Sequence, residues 1–427
     1  MADALPPRVR IGIVGGGAAG LTAAWLLQSR HDVTLLERAE RLGGHVDTVE
    51  VERDGRRVHV EAGAEFFVAS MFPTFIRLLD LLGVATRTYP ITVTVYDAGN
   101  GRAALLPPIR AGRGWLSLLR PRRLLEMLQL ARTVQHATRL VRAGDTTRTL
   151  KEFLDGLALT AGFRDGFLYP LLLGQWGVAR HELERFAAYN VFKYIVLGRI
   201  DARWTDVVGG MSRYVDTLAK ALTRTCVRCS TAVASVARDH DTYVVRDHAG
   251  RAQVFDHLVV ATGAAEAARL LEGIEGAEDR RRTLGEIEHF RTTIAVHGDR
   301  RLMPARERHW SIVNFGWDGA HSMLTVWRGA RDRAPVFRSW VTHYQRPIDA
   351  LYLTRTYEHP MPTPAYFRAQ AALAARQGEN GLWLAGLYTH DVDCHESAIV
   401  SAVNVARRLD PAAPNLTRLA SGAGVPA

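Results

Sequence analysis

Gly15-Gly16-Gly17-Ala18-Ala19-Gly20 spaces three glycines as G-x-G-x-x-G, a pattern in which the backbone itself becomes a ligand. Gly15 permits a tight turn, Gly17 lets a pyrophosphate approach the main chain, and Gly20 lets a helix pack closely on a strand. Seventeen residues after Gly20 stands Glu37, whose carboxylate accepts hydrogen bonds from ribose hydroxyls and argues against a 2′-phosphate. Arg38-Ala39-Glu40-Arg41-Leu42-Gly43-Gly44 follows, bringing the Arg41 guanidinium and a second glycine turn to the same pyrophosphate, with Arg38 a further cofactor-binding candidate. These residues address an adenosine diphosphate moiety.

The elements that must hold them are legible on either side. The apolar run 9–14 predicts a buried strand, 21–29 an apolar helix and 32–36 a second strand ending at Glu37. The helix N-terminus at Ala18 and Ala19 then offers free N–H groups and a positive dipole end to phosphates. The 427 residues suffice for about two domains. The formal charge is +10, yet lysine occurs only at Lys151, Lys193 and Lys220. The basicity is thus almost all arginine, and with no nucleic-acid motif beside it no nucleic-acid partner is expected. Cys226, Cys229 and Cys394 are too few for a disulfide framework. Cys226 and Cys229 fall in an alternating run, 225–236, where residues three apart point to opposite faces, so a structural role is expected and no metal site. No apolar run approaches the roughly 18 residues of a spanning helix, and the N-terminus lacks an apolar signal core, which together predict a cytoplasmic address.

The fingerprint at residues 11–44 resembles that of the flavin amine oxidase superfamily, which includes amine oxidases, phytoene desaturases and protoporphyrinogen oxidases. Further segments are similar to family elements: 204–218 with Gly209-Gly210-Met211, 231–233, 255–263, 381–386 and 396–409. The resemblance implies FAD as cofactor, with Val233 at the adenine, Gly63 and Ala64 beside the isoalloxazine ring, and Gly386 at the ribityl chain. It places the helix of Glu396 and Ala398 at the pyrimidine edge. The implied fold class is α/β, a Rossmann-type, GR2-like FAD-binding domain that is discontinuous over 8–70, 205–290 and 380–412. A mixed helical and sheet substrate-binding domain fills 71–204 and 291–379, and 413–427 is a loose tail. Periodicity predicts helices at 75–82, 121–141 and 149–154, and strands at 292–297, 322–327 and 351–357.

Two departures bear on the reaction. Amine oxidases of the superfamily keep a lysine near the flavin, whereas this chain has none after Lys220, leaving Arg291 or His297 for that neighbourhood. Cys394 stands where amine oxidases carry a ring residue, and Leu387 where an acid is common. Residues 41–45, 296–299, 302–304 and 395–396 are instead similar to a bacterial group of FAD-binding proteins and, distantly, to the bacterial polyunsaturated fatty acid isomerase. This implies an FAD-dependent oxidoreductase acting by dehydrogenation, desaturation or isomerisation on a lipid-like substrate. The alternatives are an amine oxidase, or a protein whose FAD is structural and whose function is hydratase-like or binding. Glu65 follows the ring-side Gly63; flanked by Phe66 and Phe67 it is expected to be a desolvated acid or base, in a loop like that of oleate hydratases. His297, and a second polar group of His390, Asp393 and His395, complete the catalytic candidates. Trp176, Phe192, Tyr194, Trp310, Phe315, Trp317 and Trp327 are candidates to line an apolar pocket. Between Arg110 and Arg142 eight arginines face one acid, Glu126, with Leu124, Leu125, Leu128, Val134, Leu140 and Val141 for an apolar face. Core packing with a solvated basic face is the first reading of this helix, and peripheral membrane contact the second.

Overall fold

The computed structural model describes residues 8–53, 55–65, 67–90, 92–105, 121–198, 203–328 and 334–420, the side chains of 104–105 and 121–123 excepted. Ile11 and Ile13 are fully buried at the centre of a parallel sheet, because strand Arg10–Val14 is covered on both faces. The sheet runs Cys226–Arg228, Asp32–Leu36, Arg10–Val14, His257–Val260, Leu382–Leu384, all parallel. Val14 pairs with both Leu36 and Val260, and Val260 with Leu384. That register ends the strands together, so Gly15, Glu37, Ala261 and Ala385 emerge along one edge. In a parallel sheet this carboxyl edge is where ligands bind.

Helix Ala18–Leu27 begins earlier than the apolar pattern suggests, and all ten of its residues are buried. Its start is set by Gly20, where a Cβ would lie 1.9 Å from the Gly15 carbonyl oxygen. Helix His395–Leu409 packs along it and shares its core with Phe75, Leu78 and Leu79 of helix Pro73–Leu81. Residues 225–236 do not form one strand. Cys226–Arg228 joins the parallel sheet, Ser230 turns at a φ of +50°, and Val233–Asp239 enters a separate antiparallel sheet with Thr242–Asp247 and Ala252–Phe255. Cys226 is exposed and Cys229 half-buried, and neither is in a disulfide. Part of the expected loose tail is also ordered: Pro414–Ala420 is a helix with Leu416 and Leu419 in the core beside Ala18–Leu27.

A second, seven-stranded sheet runs Leu351–Pro360, His289–His297, Phe337–Trp340, Ser322–Val326, Val313–Trp317, Val93–Asp97, Ala103–Leu105. The strands expected at 292–297, 322–327 and 351–357 are all here, with shifted ends. Helix Tyr169–Trp176 packs on it, and Ala188–Leu197 and Leu150–Asp155 share a helical core with that helix. The last is started by a reciprocal cap in which Thr149 Oγ1 accepts from Glu152 N (3.2 Å) and Glu152 Oε2 accepts from Thr149 N (2.9 Å). Helix Pro121–Arg142 divides its leucines. Thr133, Ala137 and Leu140 are buried in the helical core, whereas Leu124, Leu125, Met127 and Leu128 are between 46% and 60% exposed.

Candidate active site

A cavity of about 2490 Å³ runs from the carboxyl edge of the parallel sheet to the helical layer. At the sheet end it is lined by Gly15, Gly17, Ala18, Ala19, Glu37, Arg38, Gly43 and Gly44, and by Val233 on the neighbouring strand. Glu37 is fixed by accepting from Gly16 N (2.6 Å) and Ala39 N (2.8 Å), which turns the loop around it. A Cβ added at Gly17 would meet no protein atom closer than 3.9 Å, namely the Cα of Gly44. The two glycine turns therefore pack on each other, a Cβ on Gly44 falling 3.2 Å from the Gly17 Cα, and together they line the cavity with backbone and no side chain, a surface that suits a pyrophosphate. Gly20 lies outside the lining, since its part is helix packing. Arg41 lies outside it too: its guanidinium donates to Val46 O (2.7 Å) and pairs with Asp47 (3.3 Å).

Further along, Gly63, Ala64, Glu65, Gly386, His395 and Ala398 line the middle of the cavity. A Cβ at Gly63 would sit 1.9 Å from the His45 carbonyl oxygen, so this loop lies directly on the second glycine turn. Glu396 does not line the cavity. Its buried carboxylate accepts from Thr74 N and Phe75 N, each at 2.8 Å, and so caps helix Pro73–Leu81. The cavity face of its helix is thus carried by His395 and Ala398 rather than by the Glu396 side chain.

The catalytic candidates separate. Glu65 lines the cavity and is desolvated as expected, its side chain 7% exposed, but between guanidiniums rather than phenyl rings: it pairs with Arg328 (3.2 Å) and Arg338 (3.4 Å). Phe66 lies outside the described residues, and Phe67 packs on Phe72 and Phe75. His297 is fully buried in the seven-stranded sheet, Nε2 2.8 Å from Ser339 Oγ and Nδ1 accepting from Asp299 N, with no face on the cavity. His390 likewise lies outside the lining. His395 does line it, hydrogen-bonded to Tyr214 Oη (2.8 Å), and burial pushes its pKa down to about 4. Asp393 also lines it; burial pushes its pKa up to about 6 against hydrogen bonds from Asn190 and Trp176. Arg291 faces the cavity while largely solvated and paired with Glu358 (3.5 Å).

Sequence reasoning missed a polar wall made by His45, Arg338, Trp340, Tyr357 and His359. His45 stands edge-on to Tyr357 at 4.9 Å and to His359 at 5.7 Å. Burial holds His359 as a neutral ring, its pKa pushed down to about 3. The alternation of residues 338 and 340, and of 357 and 359, was the available signal, since alternate strand positions share a face. Of the aromatic candidates, Trp176, Phe192, Tyr194 and Phe315 line the cavity, whereas Trp310, Trp317 and Trp327 do not.

A doubly covered parallel sheet with facing glycine turns at its carboxyl edge, open to a cavity in a second sheet domain, defines a dinucleotide-dependent oxidoreductase. A family model described as flavin containing amine oxidoreductase matches residues 18–335, and the chain belongs to that family. Its cofactor is FAD. Over the whole fold the chain is similar to a conjugated-linoleic-acid-producing fatty acid isomerase from P. acnes, at TM-score 0.69 and 16% identity, covering 95% of this chain and 99% of that one. It is similar to an engineered putrescine oxidase (TM-score 0.67, 15% identity, 94% and 99% covered). Cyclohexylamine oxidase from Brevibacterium oxydans IH-35A gives TM-score 0.65 at 18% identity, with 94% and 100% covered. A shorter likeness, 50% identical over 52 residues, links it to the L-amino-acid oxidase of Pseudechis australis and spans 12% of this chain and 10% of that protein. Among the described residues no helix is long and apolar enough to cross a membrane.

Proposed function

We propose that this FAD-dependent oxidoreductase acts on a lipid-like, apolar substrate, which it dehydrogenates or isomerises. The observation that carries this reading is the wall of the cavity beyond the polar residues: Met127, Leu130, Phe167, Leu171, Phe315 and Leu324, with no lysine among the lining residues. An apolar wall favours an apolar guest through burial, by about 25 cal/mol per Å² removed from water. Bound FAD supplies a two-electron oxidant that accepts hydride from carbon. Gly17 and Gly44 would hold the pyrophosphate by backbone approach and Glu37 the ribose, with the Gly63-Ala64 loop and helix His395–Leu409 on the side of the isoalloxazine ring. Burial lowers the pKa of His45, His359 and His395, which keeps these rings uncharged on the wall that an apolar guest would meet.

Helix Pro121–Arg142 supports delivery of such a substrate from a membrane surface. Its exposed Leu124, Leu125 and Leu128 adjoin Met127 and Leu130 of the cavity wall, on a stretch rich in arginine. Amine oxidation is the second reading, favoured by the putrescine and cyclohexylamine oxidases that share the fold. Extraction of the purified protein and mass spectrometry of what it carries tests the two: an acyl compound supports the first, an amine the second.

A further inference from the structure

A ladder of alternating charges leads to the polar wall. Arg87 Nε lies 2.6 Å from Asp206 Oδ1, and Arg328 NH1 lies 2.8 Å from Asp206 Oδ2. Arg328 NH2 then lies 3.2 Å from Glu65 Oε1, and Arg338 NH1 3.4 Å from Glu65 Oε2. Three cations alternate with two anions, so the ladder ends on a cation, and that cation is Arg338 at the cavity. The other acid nearby, Glu61, is engaged by the Thr48 hydroxyl and the Met211 amide, and burial pushes its pKa up.

Arg338 is 5% exposed. One of its amino groups donates to Gly63 O (3.3 Å) and the other faces Glu65, but its Nε–H is buried with no acceptor. Two more buried donors without acceptors stand beside it. The guanidinium lies 4.6 Å from the Trp340 ring, whose Nε1–H is unmatched. Tyr357 Oη, also unmatched, lies 3.1 Å from where a Cβ on Gly63 would be, the residue whose carbonyl Arg338 holds. Buried donors are rarely left unmet, and three on one cavity wall beside a terminal cation call for an anionic oxygen acceptor. From this wall the apolar surface continues through Leu324, on the next strand, to its cross-strand partner Phe315.

We propose that Arg338, Trp340 and Tyr357 bind the carboxylate of a free apolar acid, so that the acyl chain lies with its carboxylate at this wall and its tail along Leu324 and Phe315. The inference rests on the apolar-substrate reading and narrows it to acids over esters. It is tested on the FAD-loaded protein by calorimetric titration with dodecanoic acid, methyl dodecanoate and 1-dodecanol. The acid is expected to bind at least about tenfold more tightly than the other two, the usual scale for hydrogen bonds to a charged acceptor. Tyr357→Phe and Trp340→Phe each remove one donor and are expected to weaken the acid by about tenfold while leaving the ester unchanged. Arg338→Gln alone changes the net charge of the ladder and takes one of the two partners of Glu65, so the charge-balanced Glu65→Gln/Arg338→Gln variant carries the decisive arm and is expected to abolish the preference. FAD content per chain is expected to match the wild type in every variant. Equal binding of all three probes to the wild type, a preference that survives in the double variant, or loss of FAD in place of loss of acid would overturn the proposal. Equal binding leaves the apolar-substrate reading standing; failure of all three probes to bind removes that reading as well.

Discussion

Gly17 and Gly20 stand three residues apart and predict opposite failures. At Gly20 a Cβ meets backbone at 1.9 Å, so Gly20→Ala is expected to destabilise the fold, seen as loss of soluble protein or a lowered melting temperature. At Gly17 the nearest protein atom to an added Cβ is the Gly44 Cα at 3.9 Å, so a side chain there is accommodated by the protein and intrudes on the proposed pyrophosphate site. Gly17→Val is therefore expected to fold with a wild-type circular dichroism spectrum and to purify without yellow colour; retained FAD would refute the assigned role. Glu65 makes a second contrast. As the anion between buried Arg338 and half-buried Arg328, its replacement in Glu65→Gln is expected to cost about 3 kcal/mol of stability, with little change in flavin reduction per bound FAD. A fall in turnover of roughly 100-fold without loss of stability would return it to acid–base chemistry. The glycines were legible because their meaning is local, a turn, a strand and a helix within thirty residues. The burial of Glu65 was legible but its partners were not, because they are not local: Phe66 and Phe67 adjoin it in sequence, whereas its partner Arg328 is 263 residues away.

Helix Pro121–Arg142 illustrates how far periodicity reaches. The pattern placed it to within a residue, and core packing of its second half follows from Ala137 and Leu140. What the pattern did not show is that the first half turns Leu124, Leu125 and Leu128 outward, because that depends on what the neighbouring elements cover. If this face meets a membrane, the protein is expected to sediment with anionic vesicles, less so at high salt, and Leu128→Glu is expected to abolish sedimentation. Equal sedimentation with and without vesicles would leave the leucines as solvent-facing residues only. The polar wall of Arg338, Trp340, Tyr357 and His359 was likewise hidden, since it is assembled by pairing strands Phe337–Trp340 and Leu351–Pro360 on either side of His289–His297. The cysteine run 225–236 failed for the converse reason, as one alternating stretch serves two sheets.

Burial of ionisable groups at the heart of the molecule gives the stability a pH dependence whose sign can be worked out. Burial depresses His297, His359 and His395 from 6.5 to about 4, 3 and 4. Below about pH 6 the unfolded chain binds those three protons and the fold does not, so their contribution is lost as pH falls. Asp393 works the other way, its pKa raised from 3.8 to about 6, so that the fold keeps a proton the unfolded chain releases. Near pH 5 these four groups leave the unfolded chain with about two more protons, and stability is expected to rise with pH by roughly 2–3 kcal/mol per unit. Urea unfolding of the holoprotein at pH 5, 6 and 7 checks this; a flat or falling profile would mean that the histidines are protonated in the fold. The same buried, apolar interior underlies the functional reading, and anaerobic stopped-flow reduction of the flavin tests it most directly. Long-chain unsaturated fatty acids, their esters and a panel of primary amines would each be mixed with the FAD-loaded protein, and the products analysed by mass spectrometry. An acyl compound is predicted to bleach the flavin or to return with a new or shifted double bond, while the amines leave the spectrum unchanged; bleaching by amines with the acyl compounds silent would contradict the account.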